Sequence, residues 1–171
     1  MLKKILISLA ILLTPVLAQN NEASVQGGPS IVQPWAASYN AGASYARKVT
    51  DSSQVTGTYE FTHAVNTVTT QTLQCAVCQV VTHTVVDNAN TALAGYRQSF
   101  TMFTKVTPYI EARIGGSKLS SVSDLLFTTE YAGGIKFAKY KVLRGFVELS
   151  ATKIDKTPMF LSTRIGMSFT R

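Results

Sequence analysis

Few residues in this chain have the side-chain types and the spacing that catalysis or metal binding requires. The most conspicuous of them are two cysteines. Cys75 and Cys78 form a Cys-x-x-Cys, a spacing that serves redox chemistry when it opens a helix beside a βαβ unit. Here the motif lies in a run of Thr, Val and Gln without that context. If the run is a strand, side chains three residues apart point to opposite faces, so a disulfide requires a bend. We interpret the pair as unpaired or locally paired thiols.

The two histidines, His63 and His83, are the remaining candidates for acid–base or metal chemistry. They come with no second cysteine pair, which would be expected of a zinc site. No serine or acidic partner stands at a spacing that predicts a nucleophile–base pair. We therefore predict that the protein is not an enzyme and holds neither a metal nor a cofactor.

Glycine pairs and net charge exclude two further classes of function. Gly27-Gly28, Gly115-Gly116 and Gly133-Gly134 are not followed by the helical patterns that phosphate-binding loops require, and in strands such pairs ease curvature or close packing. The formal net charge of +7 falls to +5 without Lys3 and Lys4 of the leader. Because the basic residues form no cluster, we predict no nucleic-acid binding.

The first 18 residues have the pattern of a cleaved export signal. A basic start at residues 1–4 precedes an apolar run over 5–13 and a cleavage site at Val16-Leu17-Ala18. The run is shorter than the roughly 20 residues of a spanning helix, which disfavours the alternative of an uncleaved anchor. The whole chain has 171 residues and only 15% charged residues, against roughly 25% in ordinary soluble domains.

After residue 34 the dominant pattern is a period of two. Residues 19–34, rich in Asn, Gln, Gly, Ser and Pro, have no apolar period and are predicted to form a flexible arm. The chain's 21 threonines favour strands. Apolar and polar side chains alternate cleanly in four C-terminal runs, over residues 109–115, 125–137, 143–151 and 159–171. Runs of about ten residues can cross a membrane as tilted strands.

The N-terminal half carries four more runs with less regular alternation. They cover residues 35–45, 55–65, 67–84 and 92–104. Tight connections at Asn66, Lys105 and 139–141 alternate with longer polar ones, such as 87–91, as in an up-and-down meander. An even number of strands lets the first and the last pair and close the sheet. We predict an all-β fold, an eight-stranded antiparallel up-and-down transmembrane β-barrel over residues 35–171.

Alternation alone does not say which face is inside, because a soluble core and a lipid-facing belt both produce it. The polar face of the last four runs carries three acidic and four basic residues: Glu111, Arg113, Glu130, Lys136, Arg144, Glu148 and Arg164. The interior of a narrow barrel is filled by side chains, where such charges can neutralise one another. We predict that these seven residues form a lumen charge network. The alternative is a secreted or periplasmic soluble barrel that binds a small apolar ligand.

The end of the chain carries the most specific motif. Arg164, Gly166 and Phe169 match a polar-x-Gly-x-x-aromatic-x-aromatic pattern, in which Arg171 replaces the last aromatic. Residues 107–115 contain a Thr-Pro-Tyr…Gly stretch, and aromatic residues stand near strand ends as in an interfacial girdle: Trp35, Phe127, Phe137 and Phe169. On these features the chain resembles the small eight-stranded outer-membrane barrels of Gram-negative bacteria, including OmpX-like and opacity-type surface proteins.

The resemblance implies export by the Sec pathway, contact with outer-membrane lipid, and an assembly signal for the barrel-assembly machinery at Arg164, Gly166 and Phe169. The His-x-Ser and acid of lipid A deacylases are not present in the sequence. We predict a structural or surface-interacting role, with a possible host or surface partner on the loops, rather than a wide pore. With a periplasmic N-terminus, the predicted outer loops are residues 47–54, 85–91, 118–124 and 152–158.

Overall fold

The computed structural model describes residues 21–32, 36–72, 79–100, 105–138, 142–155 and 159–170. The predicted signal peptide, Trp35, Cys75, Cys78 and Arg171 lie outside these ranges, as does the side chain of His83. All elements in the described ranges are strands, and none of these residues belongs to a helix that could span a membrane.

Eight antiparallel strands form one closed sheet. They are β1 (Asn21–Val32), β2 (Ala36–Lys48), β3 (Ser53–Thr72), β4 (Gln79–Ser99), β5 (Val106–Leu119), β6 (Leu125–Ala138), β7 (Leu143–Ile154) and β8 (Met159–Thr170). Each strand pairs with the next, and β1 pairs with β8. The predicted eight-stranded up-and-down barrel is confirmed. The last three strands begin at the predicted residues because their alternation is clean.

The register of the strands fixes their tilt. A path that steps from each residue to its partner on the next strand starts at Phe169, passes through Ala23 and goes once around the sheet. It returns to β8 at Met159, which is ten residues away from Phe169. In an eight-stranded barrel this offset corresponds to a strand tilt of about 40° and to an interior just wide enough for side chains.

The first strand corrects the prediction of a flexible arm over residues 19–34. Asn21–Val32 is β1, hydrogen-bonded to β2 on one side and to β8 on the other. The prediction was wrong there because the lumen-facing side chains of β1 are small or polar, so the strand has no apolar excess. Gly28 is required by close packing, since an added Cβ would lie 2.0 Å from the Thr163 carbonyl oxygen.

The second correction concerns β3 and β4. The predicted strands 55–65, 67–84 and 92–104 are two long strands, Ser53–Thr72 and Gln79–Ser99. Asn66, predicted as a tight connection, lies inside β3 opposite Val85, and the predicted separator 87–91 lies inside β4. Threonine and valine flank Asn66 on both sides, and their strand preference outweighs one asparagine. The count of eight was therefore right while its N-terminal members were misplaced.

The β3–β4 pair extends well beyond the barrel. Pairing of β2 with β3 ends at Ala64, and pairing of β4 with β5 ends at Ala89. Beyond these points Val65–Thr72 pairs only with Gln79–Val86 within the described residues. We call this two-stranded segment the distal hairpin. Its sixteen paired residues carry no Lys, Arg, Asp or Glu.

The connections divide between two rims. The terminal rim holds Asn21, Thr170 and the strand ends next to 49–52, 100–105 and 139–142, and the distal rim holds the strand ends next to 33–35, 73–78, 120–124 and 155–158. The predicted outer loops 118–124 and 152–158 are at the distal rim. The predicted loop 47–54 is at the terminal rim, because β1 precedes it and shifts it to the opposite end. The predicted loop 85–91 is part of β4, because Asn66 lies inside β3 and is not a turn.

Candidate functional site: the lumen network and the outer face

Charged and apolar residues are separated by strand parity. All five glutamates are buried on the lumen side: Glu22, Glu60, Glu111, Glu130 and Glu148. All four aspartates lie in connections or at the distal rim. Large apolar side chains point outward, with Tyr131 68%, Leu149 64% and Ile165 63% exposed. This distribution is the inverse of that in a soluble protein, where charged residues are mostly exposed and are almost never fully buried unless they are paired.

Two arginines form the middle of the lumen network. Arg113 donates from Nε to Glu111 at 2.7 Å and from Nη2 to Glu148 at 2.9 Å, and its Nη1 contacts Glu130. Arg164 donates from Nη1 to Glu148 at 2.8 Å and from Nη2 to Glu130 at 2.5 Å. The same Nη2 lies 2.5 Å from Glu60. Carboxylates from three strands therefore meet at each guanidinium group.

A second cluster lies nearer the terminal rim. Lys136 Nζ is 2.6 and 2.7 Å from the two oxygens of Glu22, and Arg97 Nε donates to Glu111 at 2.7 Å. Tyr109 donates to Glu148 at 2.8 Å, and Arg97 stacks over its ring at 4.6 Å. Glu111 and Glu148 thus join this cluster to the middle one.

Toward the distal rim the lumen changes from charged to hydroxyl-rich and then to apolar. Thr91 and Ser117 are hydrogen-bonded at 2.7 Å, and Thr128 donates to Ser117 at 2.7 Å. Above them lies an apolar plug that comprises Ala89, Leu119, Leu126 and Ile154, packed against Val122 and Phe160. The cavity below the plug, between Glu60, Glu130 and Phe160, is about 20 Å³, which is space for about one water molecule.

Most residues that the sequence singled out for the lumen are brought together. Salt bridges join Glu111, Arg113, Glu130, Lys136, Glu148 and Arg164. Arg144 has lumen parity on β7 but forms no salt bridge with a described carboxylate. With Arg97 counted, five cationic side chains of the described residues face the lumen against five carboxylates, so the formal charge of these groups is balanced.

Sequence reasoning missed Glu22, Glu60 and Arg97 as partners in this network. Glu22 was placed in the arm, and Glu60 and Arg97 lie on the two strands whose boundaries were wrong. The signal that could have found Glu60 and Arg97 is the segregation itself, because each directly follows an exposed outward tyrosine, Tyr59 or Tyr96.

The predicted assembly-signal residues occupy both faces of β8. Arg164 is in the lumen network, and Phe169 points outward with 48% exposure. At Gly166 an added Cβ would meet the Phe146 ring at 2.4 Å, so this glycine makes room for a lumen aromatic. Phe127 and Phe137 also point outward near strand ends.

Two polar side chains at the distal rim, those of His63 and Asp87, have hydrogen-bond partners. His63 Nδ1 lies 2.7 Å from the Asn88 side-chain oxygen, and its ring packs against Tyr39 at 5.0 Å. Asp87 accepts hydrogen bonds from the Ser120 and Ser121 hydroxyls at 2.7 and 2.6 Å, which ties the 120–124 turn to β4. Within the described ranges, no three His, Cys, Asp or Glu side chains are grouped to hold a metal ion.

Solved structures share this architecture at low sequence identity. Neisserial surface protein A aligns with a TM-score of 0.59 and 10% identity over 88% of this chain and 96% of its own. The N-terminal β-barrel domain of Pseudomonas aeruginosa OprF aligns with 0.55 and 11% over 88% and 97%. This chain has the fold of a small outer-membrane β-barrel.

A third neighbour is the outer membrane enzyme PagL, with a TM-score of 0.50 and 16% identity over 88% of this chain and 99% of that one. No protein-family model and no curated protein matches the sequence. Together with the apolar outer face, the shared fold is that of an integral outer-membrane β-barrel.

Proposed function

We propose that the protein is an outer-membrane surface protein with a closed lumen, which interacts with a partner through the distal hairpin. The observation that carries this proposal is the extension of β3 and β4 beyond the last barrel pairs, Ser38–Ala64 and Ala89–Leu119. Outer-membrane barrels have short periplasmic turns and longer extracellular loops. The distal rim is therefore assigned to the cell exterior and the terminal rim to the periplasm.

The distal hairpin has the properties of a strand-pairing surface. Its sequence is rich in Thr and Val and has no charged residue over Val65–Thr72 and Gln79–Val86. Exposed edges of this kind pair with strands of another chain, and natural proteins usually block them with lysine or proline. An extended segment of a host or surface protein is the partner that such an edge would accept by strand addition.

A soluble barrel with an apolar ligand is disfavoured by the lumen. Its centre is occupied by the charge network, and the cavity beneath the plug measures about 20 Å³, far less than the ~300 Å³ or more of a small-molecule site. The alternative of a lipid-modifying outer-membrane enzyme is also disfavoured. The ring of His63 contacts Asn88 and Tyr39, and neither residue supplies a serine nucleophile.

Membrane integration is tested by cell fractionation combined with gel mobility. We expect the protein in the outer-membrane fraction, with a mobility that changes on boiling because the folded barrel resists detergent. Recovery in the soluble periplasmic fraction with an unchanged mobility would contradict the proposal and favour the soluble alternative.

The role of the distal hairpin is tested by replacing residues 65–86 with an Asn-Gly turn. All pairs of β2 with β3 and of β4 with β5 lie outside this segment, so the barrel should fold and keep its heat-dependent mobility. We expect cells producing this variant to lose adhesion to immobilised host matrix proteins. Equal adhesion by both forms, or a hairpin that proteinase K reaches only after the outer membrane is opened, contradicts the assignment.

A further inference from the structure

The outward face of the barrel is not uniformly filled, and an open groove crosses it from β8 to β5. The groove has a volume of about 850 Å³. Its floor consists of small outward residues: Ala23, Ala43, Gly57, Ala92 and Ala94. Its walls are larger side chains, which include Val25, Tyr45, Tyr59, Ile114 and Phe169.

The strand register explains why a groove forms here. One lateral row reads Phe169, Ala23, Tyr45, Gly57, Ala94 and Ile114, and the next reads Met167, Val25, Ala43, Tyr59 and Ala92. Small residues therefore form a continuous path between larger ones. Tyr59 is held at the edge of this path, because its hydroxyl donates to the Asn90 side chain at 2.8 Å.

At the terminal rim the groove meets a second hollow that carries positive charge. This hollow has a volume of about 550 Å³ and shares Tyr45 and Gly57 with the groove. Two basic residues line it, Arg47 and Lys48. Lys48 is bonded to Asp51 at 2.7 Å, whereas exposed Arg47 has no ion-pair partner in the described part of the chain.

We propose that the groove and the hollow together bind one anionic phospholipid. Its acyl chains would lie over Ala43 and Gly57, and its phosphate would meet Arg47, whose planar guanidinium binds phosphate through two parallel hydrogen bonds. The inference rests on the proposed orientation, which places the terminal rim at the periplasmic leaflet, where phospholipids provide the head groups. An apolar groove that ends in an unpaired cation complements a lipid with an anionic head group.

The chain offers matched variants for the test. An added Cβ meets nothing within 4 Å at Gly57 or at Gly145, so leucine can be introduced at either position without a backbone clash. Gly57→Leu fills the groove, whereas Gly145→Leu lies on β7, away from it. Arg47→Gln removes the cation from the hollow, and Lys105→Gln removes an exposed cation elsewhere on the terminal rim.

The experiment is native mass spectrometry of the full-length barrel released from nanodiscs of phosphatidylethanolamine and phosphatidylglycerol at 3:1. We expect one retained phosphatidylglycerol in the wild type, Gly145→Leu and Lys105→Gln. Gly57→Leu should lose it. Arg47→Gln should reduce the preference for phosphatidylglycerol about tenfold, since both lipids carry the phosphate but the Arg47 guanidinium repels the ammonium group of phosphatidylethanolamine.

Three patterns of retention would overturn the proposal. These are equal lipid retention by wild type and Gly57→Leu, release of a protein dimer that Gly57→Leu abolishes, and preferential retention of lipopolysaccharide from nanodiscs that contain it. A heat-modifiable barrel that inserts into nanodiscs but retains no lipid overturns the lipid site alone. Failure to insert overturns the proposed membrane function instead.

Discussion

At the scale of single residues, Glu130 has three side-chain partners in the lumen. It is 1% exposed and binds Arg113, Arg164 and Thr152. The sequence placed Glu130 correctly because the alternation in β6 is clean. Its partners across the lumen could not be predicted, because parity gives the face of a residue but not the strand that lies opposite.

We expect Glu130→Ala to destabilise the barrel much more than Asp124→Ala. The first variant leaves two buried guanidinium groups with one partner fewer, a change that typically costs about 3–5 kcal/mol. Asp124 is exposed in the 120–124 turn, where substitutions usually change stability by less than about 0.5 kcal/mol. The measurement is the urea midpoint of unfolding in lipid vesicles, and equal midpoints would contradict an inward Glu130.

Asp87 predicts a pH dependence at the distal rim. Partial burial opposes its ionisation, but hydrogen bonds from Ser121 and Ser120 outweigh burial and hold the pKa of Asp87 below its ordinary value of 3.8. A carboxyl with a lowered pKa in the folded state stabilises the fold above its unfolded pKa, and this contribution is lost as the pH falls through the lowered value.

We therefore expect Asp87→Asn to be less stable than wild type near neutral pH and to approach it as the pH falls below the ordinary value of 3.8. The measurement is the thermal midpoint of the gel-mobility change, with Asp124→Asn as the control. A difference between wild type and Asp87→Asn that stays constant over this range argues against the hydrogen-bonded carboxylate.

At the scale of elements, the strands that could be predicted are those whose two faces differ in polarity. β6, β7 and β8 begin at Leu125, Leu143 and Met159, as expected from alternation. β1 escaped prediction because Ser24, Gln26 and Ser30 face the lumen and resemble loop residues by composition. The β3–β4 hairpin escaped because Thr and Val occur at both parities, so no face is distinguishable and the turn position is not specified.

The pairing of β1 with β8 leads to a prediction for Gly28. We expect Gly28→Ala to destabilise the barrel by about 2 kcal/mol or more, because the added Cβ would lie 2.0 Å from the Thr163 carbonyl oxygen and force the two strands apart. Gly145→Ala is the matched control, since nothing lies within 4 Å of its added Cβ. Similar mobility-change midpoints for the two variants would indicate that β1 is not held against β8.

At the scale of the whole molecule, the closed lumen predicts little ion conduction. Eight strands enclose side chains only, and here the charge network is followed by the apolar plug. In planar bilayers we expect no stable conductance on the scale of a 16-stranded porin. Sustained openings of that size would require the network to rearrange and would contradict a lumen closed by side chains.

Closure of the barrel also has a consequence for folding kinetics. The β1–β8 ladder joins Glu22 to Thr170, residues 148 positions apart in the chain, whereas every other ladder joins neighbouring strands. Contacts between such distant residues form slowly, because the chain loses conformational entropy when the loop closes, before the new contacts can stabilise it. Until β8 arrives, the chain is an open sheet with two edges that can pair with other chains, so the eighth strand of the barrel is the one that ends its exposure to aggregation.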